Sequence, residues 1–400
     1  RAETMVNEQM YGYGSKSSVI RELFAYGLER KKIVGEDKVY DFSIGNPSIP
    51  APAEVKQAIL ELLEEPAEAL HGYSPAAGDP KVRQTLADSV NRRFGTQYTA
   101  DNFYMTVGAA ASLSISIKAL TNPGDQFITI APFFPEYEVW VTTAGAERAL
   151  VPADTKNFQI DFDALEKLIG PKTKGIIINS PNNPSGTVYS EETVRRLAEL
   201  LEQKGKEYGT SIYLLSDEPY REIVYDGVTV PFVPNYYKNT LVCYSYSKSL
   251  SLPGERIGYI IVPDEADDAG RVRAAVAGAG RALGYVCAPV LFQKVIARCV
   301  DVPGDVSAYR RNRDLLYKGL TELGYECARP QGAFYLFVKA PEPDAGAFSE
   351  HAKKHDVLVV PGDSFGCEGY VRISYCVSEK TIRDAMPAFA RIMEEYQEER

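Results

Sequence analysis

Gly175-Ile176-Ile177-Ile178-Asn179 is an apolar run that breaks off into Ser180-Pro181-Asn182-Asn183-Pro184-Ser185-Gly186. Ser190 to Tyr208 then reads as a helix, with Ser190 as its cap and Glu191 and Glu192 in its first turn. Ser211 to Ser216 is apolar again. A short buried strand, a long helix and a second short buried strand form a βαβ unit. Such strands lie parallel and are covered on both faces.

The same alternation extends in both directions. Upstream, Phe103 to Val107 reads as a strand and Ala109 to Leu120 as a helix stopped by Asn122-Pro123-Gly124. Gln126 to Ala131 is a strand, and Glu136 to Ala144 a helix ending at Gly145. Downstream, strands are expected at Leu241 to Ser245 and Arg256 to Val262. The fold class is therefore α/β, with a mostly parallel central sheet covered by helices on both faces.

Past Ala288-Pro289 the pattern changes. One long helical stretch, Val290 to Leu323, precedes strands at Ala333 to Val338 and Val371 to Tyr375. Helices at Ala345 to His355 and Lys380 to Glu398 flank the second strand. This predicts a smaller α+β domain, joined by the chain before Asn46. A length of 400 residues suits two cores. The expected division is 47–295 for the large domain and 1–46 plus 296–400 for the small one.

Lys and Arg number 44 against 54 Asp and Glu, a net charge of −10. A nucleic-acid or anionic-membrane partner would want a basic face, so neither is expected. No apolar run approaches the roughly 20 residues that span a bilayer. Arg1 to Met10 is polar and acidic, unlike a secretory signal, and Arg1–Thr4 reads as a cloning remnant ahead of a start at Met5. None of the six cysteines forms a CxxC pair, which predicts reduced thiols and a cytoplasmic protein. His351 and His355 share a helix face, but no neighbouring carboxylate or thiol in sequence completes a metal site, so none is expected. That face reads as solvated. Gly278-Ala279-Gly280 follows an alanine-rich helical stretch instead of a strand, so it is no dinucleotide loop.

Four segments stand where predicted strands end, the edge at which open α/β sheets bind ligands. Gly108-Ala109-Ala110 turns from strand into helix, and small residues there let backbone N–H groups meet a phosphate. Asn179 to Gly186 is a turn dense in Asn, Pro and Gly. Ser216-Asp217-Glu218-Pro219-Tyr220 puts a carboxylate at the end of an apolar strand, where a cationic partner or a capping role would account for it. Ser245-Tyr246-Ser247-Lys248-Ser249-Leu250 leads to Pro253-Gly254-Glu255-Arg256-Ile257-Gly258-Tyr259. A lysine nucleophile must be neutral, and a cation such as Arg256 favours that form. Taken singly, the first three also read as an ordinary turn, a surface loop and a helix cap.

Together, and in this order and spacing, these segments resemble the class I aminotransferases of pyridoxal 5′-phosphate (PLP) fold type I, over nearly the whole chain. The resemblance implies PLP held by Lys248 as a Schiff base, with the same amine later moving a proton. It implies Asp217 on the pyridine nitrogen, keeping the ring an electron sink. Asn183 and Tyr220 would hydrogen-bond the phenolic oxygen. Ser245, Arg256, Ala109 and Ala110 would cup the phosphate, with Gly108 leading into the cup. Phe134 would stack on the ring, where many relatives carry Trp. Tyr73 would reach the partner subunit's phosphate in a homodimer. Gly45 would pass close to the substrate. Arg372, with Asn183, would bind its α-carboxylate as a bidentate pair. The Asn183-Pro184 bond is expected to be cis.

For substrate, Arg281 lies roughly where dicarboxylate-specific relatives place an arginine donated by the other subunit. The lysine used by a rival dicarboxylate subgroup is missing, since Ala110 and Ala111 stand there. Aspartate with 2-oxoglutarate is the favoured pair. Aromatic or alanine transamination, a PLP lyase of the same fold and a non-catalytic PLP-binding domain are the alternatives.

Overall fold

The computed structural model describes residues 5–400, so the expectation for Arg1–Thr4 falls outside the described residues. Two compact units are present. The larger comprises Pro47–Arg310 and Pro330–Ala333, and the smaller Arg1–Asn46, Arg311–Arg329 and Phe334–Arg400.

The larger unit is built on seven strands: β1 (Phe103–Thr106), β2 (Gln126–Ile130), β3 (Glu147–Val151), β4 (Thr173–Asn179), β5 (Tyr213–Asp217), β6 (Thr240–Ser245) and β7 (Gly258–Ile261). Their order is β1-β7-β6-β5-β4-β2-β3, and every pairing is parallel except the two made by β7. Alternation along the strands gives the sheet two apolar faces. Ile176, Ile178 and Leu214 pack with Leu197 and Leu201 of the helix Glu191–Tyr208. Ile177, Leu215 and Leu241 pack on the other face with Leu113 and Ile117 of the helix Ala109–Leu120. Each such side chain contributes roughly 1.5–3 kcal/mol when fully buried.

Register then aligns the site. Asn179 faces Asp217, and Asp217 faces Cys243. Gly258 faces both Thr106 and Ser245, so the ends of β1 and β6 and the start of β7 share one edge.

The single helix expected over Val290 to Leu323 is two helices, Val290–Arg298 and Ser307–Glu322. Pro303, which has no N–H to donate, stands in the break. The first piece packs on the helices Ala53–Leu62 and Pro80–Phe94 of the larger unit. The division therefore falls after Arg310 and not after residue 295.

In the smaller unit, strands Val360–Pro361, Tyr370–Ser374, Tyr335–Lys339 and Glu326–Cys327 form an antiparallel sheet in that order. Helices Ala345–Lys353 and Glu379–Glu398 belong to this unit. The first is not simply solvated, because Glu395 from the second meets both His351 and His355. No helix among the described residues is long and apolar enough to cross a membrane. All six cysteines are unbridged.

Candidate active site

Asp217 closes β5 and is only 5% exposed. Its Oδ2 accepts a short hydrogen bond from the Tyr137 hydroxyl, while Oδ1 is buried with no hydrogen-bond partner. The next residue, Glu218, is equally buried but meets Arg221, whose Nε donates to it at 3.2 Å. Arg221 also donates to the carbonyls of Val230 and Pro231 and lies over the rings of Phe94 and Phe232. Adjacent carboxylates thus have opposite fates: one is neutralised, the other keeps an oxygen for a donor not supplied by the protein.

The turn after β4 is braced by Asn179. Its Nδ2 donates to the Asp217 carbonyl at 3.0 Å and its Oδ1 accepts from the Asn183 N–H at 2.8 Å. Asn182 Oδ1 accepts from Ser185 N and Oγ at 3.0 and 2.7 Å. Asn183 is buried here, and Asn183-Pro184 is cis as expected; Ala131-Pro132 and Ser180-Pro181 are cis as well.

Lys248 sits on the short helix Tyr246–Ser249 that follows β6. Ser245 caps it, its Oγ accepting from Ser247 N at 3.1 Å and lying 2.6 Å from Ser247 Oγ. The Lys248 ammonium is 5.8 Å from the centre of the Tyr220 ring. Arg256, in left-handed conformation at φ 51°, donates to the Pro253 carbonyl at 3.2 Å. Its guanidinium occupies the space above Gly108, where a Cβ would come within 2.7 Å of Nη2. Gly108 has φ 101°, so glycine is required there twice over. It starts the helix Ala109–Leu120 with no side-chain cap, leaving the Ala109 and Ala110 end open beside a cation. Phe134 meets Tyr137 edge-on at 5.9 Å and is half-buried.

In the smaller unit, Arg372 is 2% exposed and donates to the Ser43 carbonyl at 2.6 Å. Its guanidinium lies over Tyr335 at 4.6 Å and Phe365 at 5.1 Å. Gly45 belongs with it: a Cβ there would fall 2.1 Å from the Tyr335 hydroxyl. Gly45 and Arg372 are thus gathered around one tyrosine.

The sequence pattern of the family described as aminotransferase class I and II matches residues 37–389. An aspartate/prephenate aminotransferase of Thermus thermophilus is 33% identical over 87% of this chain and 89% of its own. An aromatic-amino-acid aminotransferase 2 of Thermococcus litoralis is 29% identical over 94% of this chain and 96% of its own. A crystal structure of an amino transferase from Eubacterium rectale superposes with TM-score 0.97 at 62% identity, covering 98% of this chain and all of the other. The chain belongs to the class I and II aminotransferases. It is accordingly a PLP-dependent aminotransferase.

The aminotransferase's own residues fit the cofactor. The orphaned Asp217 Oδ1 suits a pyridine N–H, and the uncapped helix start beside Arg256 suits a phosphate. Among the described residues, no hydrogen bond or ion pair gathers the Tyr73 or Arg281 side chain with these groups. Tyr73 is 97% exposed, and Arg281, in the last turn of the helix Ala269–Leu283, is exposed without an ion pair among the described residues. Tyr137, Asn179, Ser247 and Tyr335 contact these candidate residues, and sequence reading assigned them no role. A buried carboxylate demands a donor, and the helix Glu136–Thr143 that follows β2 supplies one in Tyr137.

In the cofactor-free aminotransferase, burial pushes the Asp217 carboxyl up to about 7; the Tyr137 hydroxyl opposes this and Glu218 adds to it. An unfolded aspartate ionises near about 4. The folded apoprotein therefore holds an extra proton between about pH 4 and 7, and its stability falls as pH rises through that window, by on the order of 4 kcal/mol in all. Asp217→Asn is expected to remove this component. Urea unfolding of apoprotein across the window measures it; superimposable slopes for the two proteins would assign the titration elsewhere.

Proposed function

We propose that this aminotransferase moves an amino group between aspartate and 2-oxoglutarate, with PLP held by Lys248, Asp217, Asn183, Tyr220, Ser245, Arg256, Gly108, Ala109 and Ala110, and stacked on Phe134. The observation that carries the cofactor assignment is the buried, unpartnered Asp217 Oδ1. Bound PLP supplies an electron sink for the bond broken at the substrate's Cα. Asp217 holds a proton at the ring nitrogen and Asn183 and Tyr220 stabilise the phenolic oxygen. Lys248 takes the proton at Cα.

Arg372 receives the substrate's α-carboxylate. Its pre-set orientation, fixed by the Ser43 carbonyl and the Tyr335 ring, means that little side-chain freedom is lost on binding. Arg281 and Tyr73 act in the site of a second copy: an arginine without an ion pair and an almost fully exposed tyrosine are what a homodimer would use. Aspartate is favoured by Arg281 and by the name of the Thermus relative. The Thermococcus relative, named for aromatic amino acids, supports aromatic transamination as the second reading.

A panel of amino donors with 2-oxoglutarate tests the reading. Aspartate should show the highest kcat/KM, yielding oxaloacetate and glutamate. A higher value for phenylalanine or tyrosine selects the second reading, and pyruvate with ammonia from serine, or alanine with CO2 from aspartate, indicates a lyase. Arg372→Leu should cut kcat/KM for every donor by about 100-fold, the loss of one charge-assisted pair. Arg281→Leu should cut it for aspartate by about tenfold or more and leave alanine unchanged. Equal effects on aspartate and alanine would end the specificity role of Arg281.

A further inference from the structure

We infer that His351, His355 and Glu395 form a binding site for one divalent transition-metal ion of the zinc type, in the smaller unit. His351 lies on the helix Ala345–Lys353 and His355 one turn further on, with ring centres 5.8 Å apart and planes 23° from parallel. Both present Nε2 to the same carboxylate. His351 Nε2 is 2.5 Å from Glu395 Oε2, and His355 Nε2 is 3.0 Å from Oε1 and 3.1 Å from Oε2. One ligand atom from each residue lies within 4.8 Å of the others, and all three residues are half-buried.

Two imidazole nitrogens and one carboxylate oxygen are the ligands that zinc takes, with metal–ligand distances of about 2.0–2.2 Å. Tetrahedral ligation at those distances sets ligand atoms about 3.3–3.6 Å apart, so His351 Nε2 and Glu395 Oε2 would separate by roughly 1 Å as an ion replaced their direct hydrogen bond. Three protein ligands leave a fourth position for water. The surroundings hold the geometry. The Tyr396 ring packs on His351 at 4.9 Å, and its hydroxyl donates to Glu342. The adjacent cation Lys353 is directed elsewhere, bonded to Glu350 at 3.1 Å and lying over the Tyr26 ring at 4.5 Å. The ligands come from two segments 40 to 44 residues apart, so a bound ion would cross-link the helix Glu379–Glu398 to the end of Ala345–Lys353.

The test uses the holoenzyme. Zn2+ is titrated in competition with a chromophoric chelator, for the native chain and for the His351→Gln/His355→Gln double variant. One ion per chain is expected, with affinity falling more than about 100-fold in the variant, since losing an outer partner alone costs 10–100-fold. Zn2+ should also raise the Tm of the native chain and not that of the variant. Co2+ supplies a readout that needs no variant. Imidazole and carboxylate ligation gives weak visible bands, whereas a strong near-ultraviolet thiolate band would place the ion on the half-buried Cys287 or Cys327 and overturn the inference. Unchanged zinc affinity in the double variant overturns it too. So does the absence of competition with the chelator, which would leave the cluster a histidine–glutamate hydrogen-bond pair only.

Discussion

Lys248→Ala is expected to lower kcat by about four orders of magnitude while leaving the chain folded and able to take up PLP. The argument is local. Lys248 sits on a four-residue helix whose start is held by Ser245 and Ser247, not by the lysine. Its amine lies 5.8 Å from the centre of the Tyr220 ring. Alanine is the best helix former, so truncation leaves the short helix intact. The residues proposed to hold the phosphate and the ring nitrogen remain in place. What disappears is the only amine on that helix, and with it both the covalent tether and the base at Cα. Borohydride should fix PLP to the native chain and not to the variant. A variant with more than about one per cent of native kcat would refute the assignment of the proton transfer to Lys248. A variant whose denaturant midpoint collapsed would instead show that the lysine is structural.

How far the fold was legible depended on how local each signal was. The helix Ala109–Leu120 begins and ends where Gly108 and Asn122-Pro123-Gly124 place it, and Glu191–Tyr208 is bounded by the Ser190 cap and Gly209 at φ 62°. Those signals lie within a few residues of what they determine. The break after Arg298 carries a local signal as well, Pro303-Gly304, which the expectation of one helix over Val290 to Leu323 passed over. Partner choice is a different matter. Tyr137 and Asp217 are 80 residues apart, and the register of β2, β4 and β5 brings them together. Arg372 and Ser43 are 329 residues apart. Glu395 reaches His351 across a helix–helix contact, which neither helix's own period reveals. The candidate residues named by motif are legible because each lies in a short run of consecutive residues. The residues that support them were missed, because support is chosen by packing in space.

Asp217→Ala is expected to reduce kcat by about 100- to 1,000-fold, or roughly 3–4 kcal/mol, and to loosen PLP binding. The carboxylate is buried with one oxygen engaged by Tyr137 and the other unpartnered. Such an oxygen costs about 1–3 kcal/mol in the empty protein, a cost that a ring N–H arriving at Oδ1 would relieve. Alanine would remove both that relief and the charge proposed to keep the ring protonated, and so would weaken the electron sink that bound PLP supplies. Glu218, one residue on, supplies the internal control. Glu218→Gln removes the carboxylate that answers Arg221, and leaving a buried guanidinium short of its partner should cost about 3–5 kcal/mol of stability. Its kcat, measured on the folded fraction, should stay within about tenfold of native, because Arg221 and not the cofactor is its partner. The two substitutions should therefore separate cleanly: Asp217→Ala in PLP affinity and kcat, Glu218→Gln in the denaturant midpoint. If Asp217→Ala kept kcat within tenfold of native, the acid at the end of β5 would not be the group that draws electrons through the ring, and the unpartnered oxygen would need another ligand.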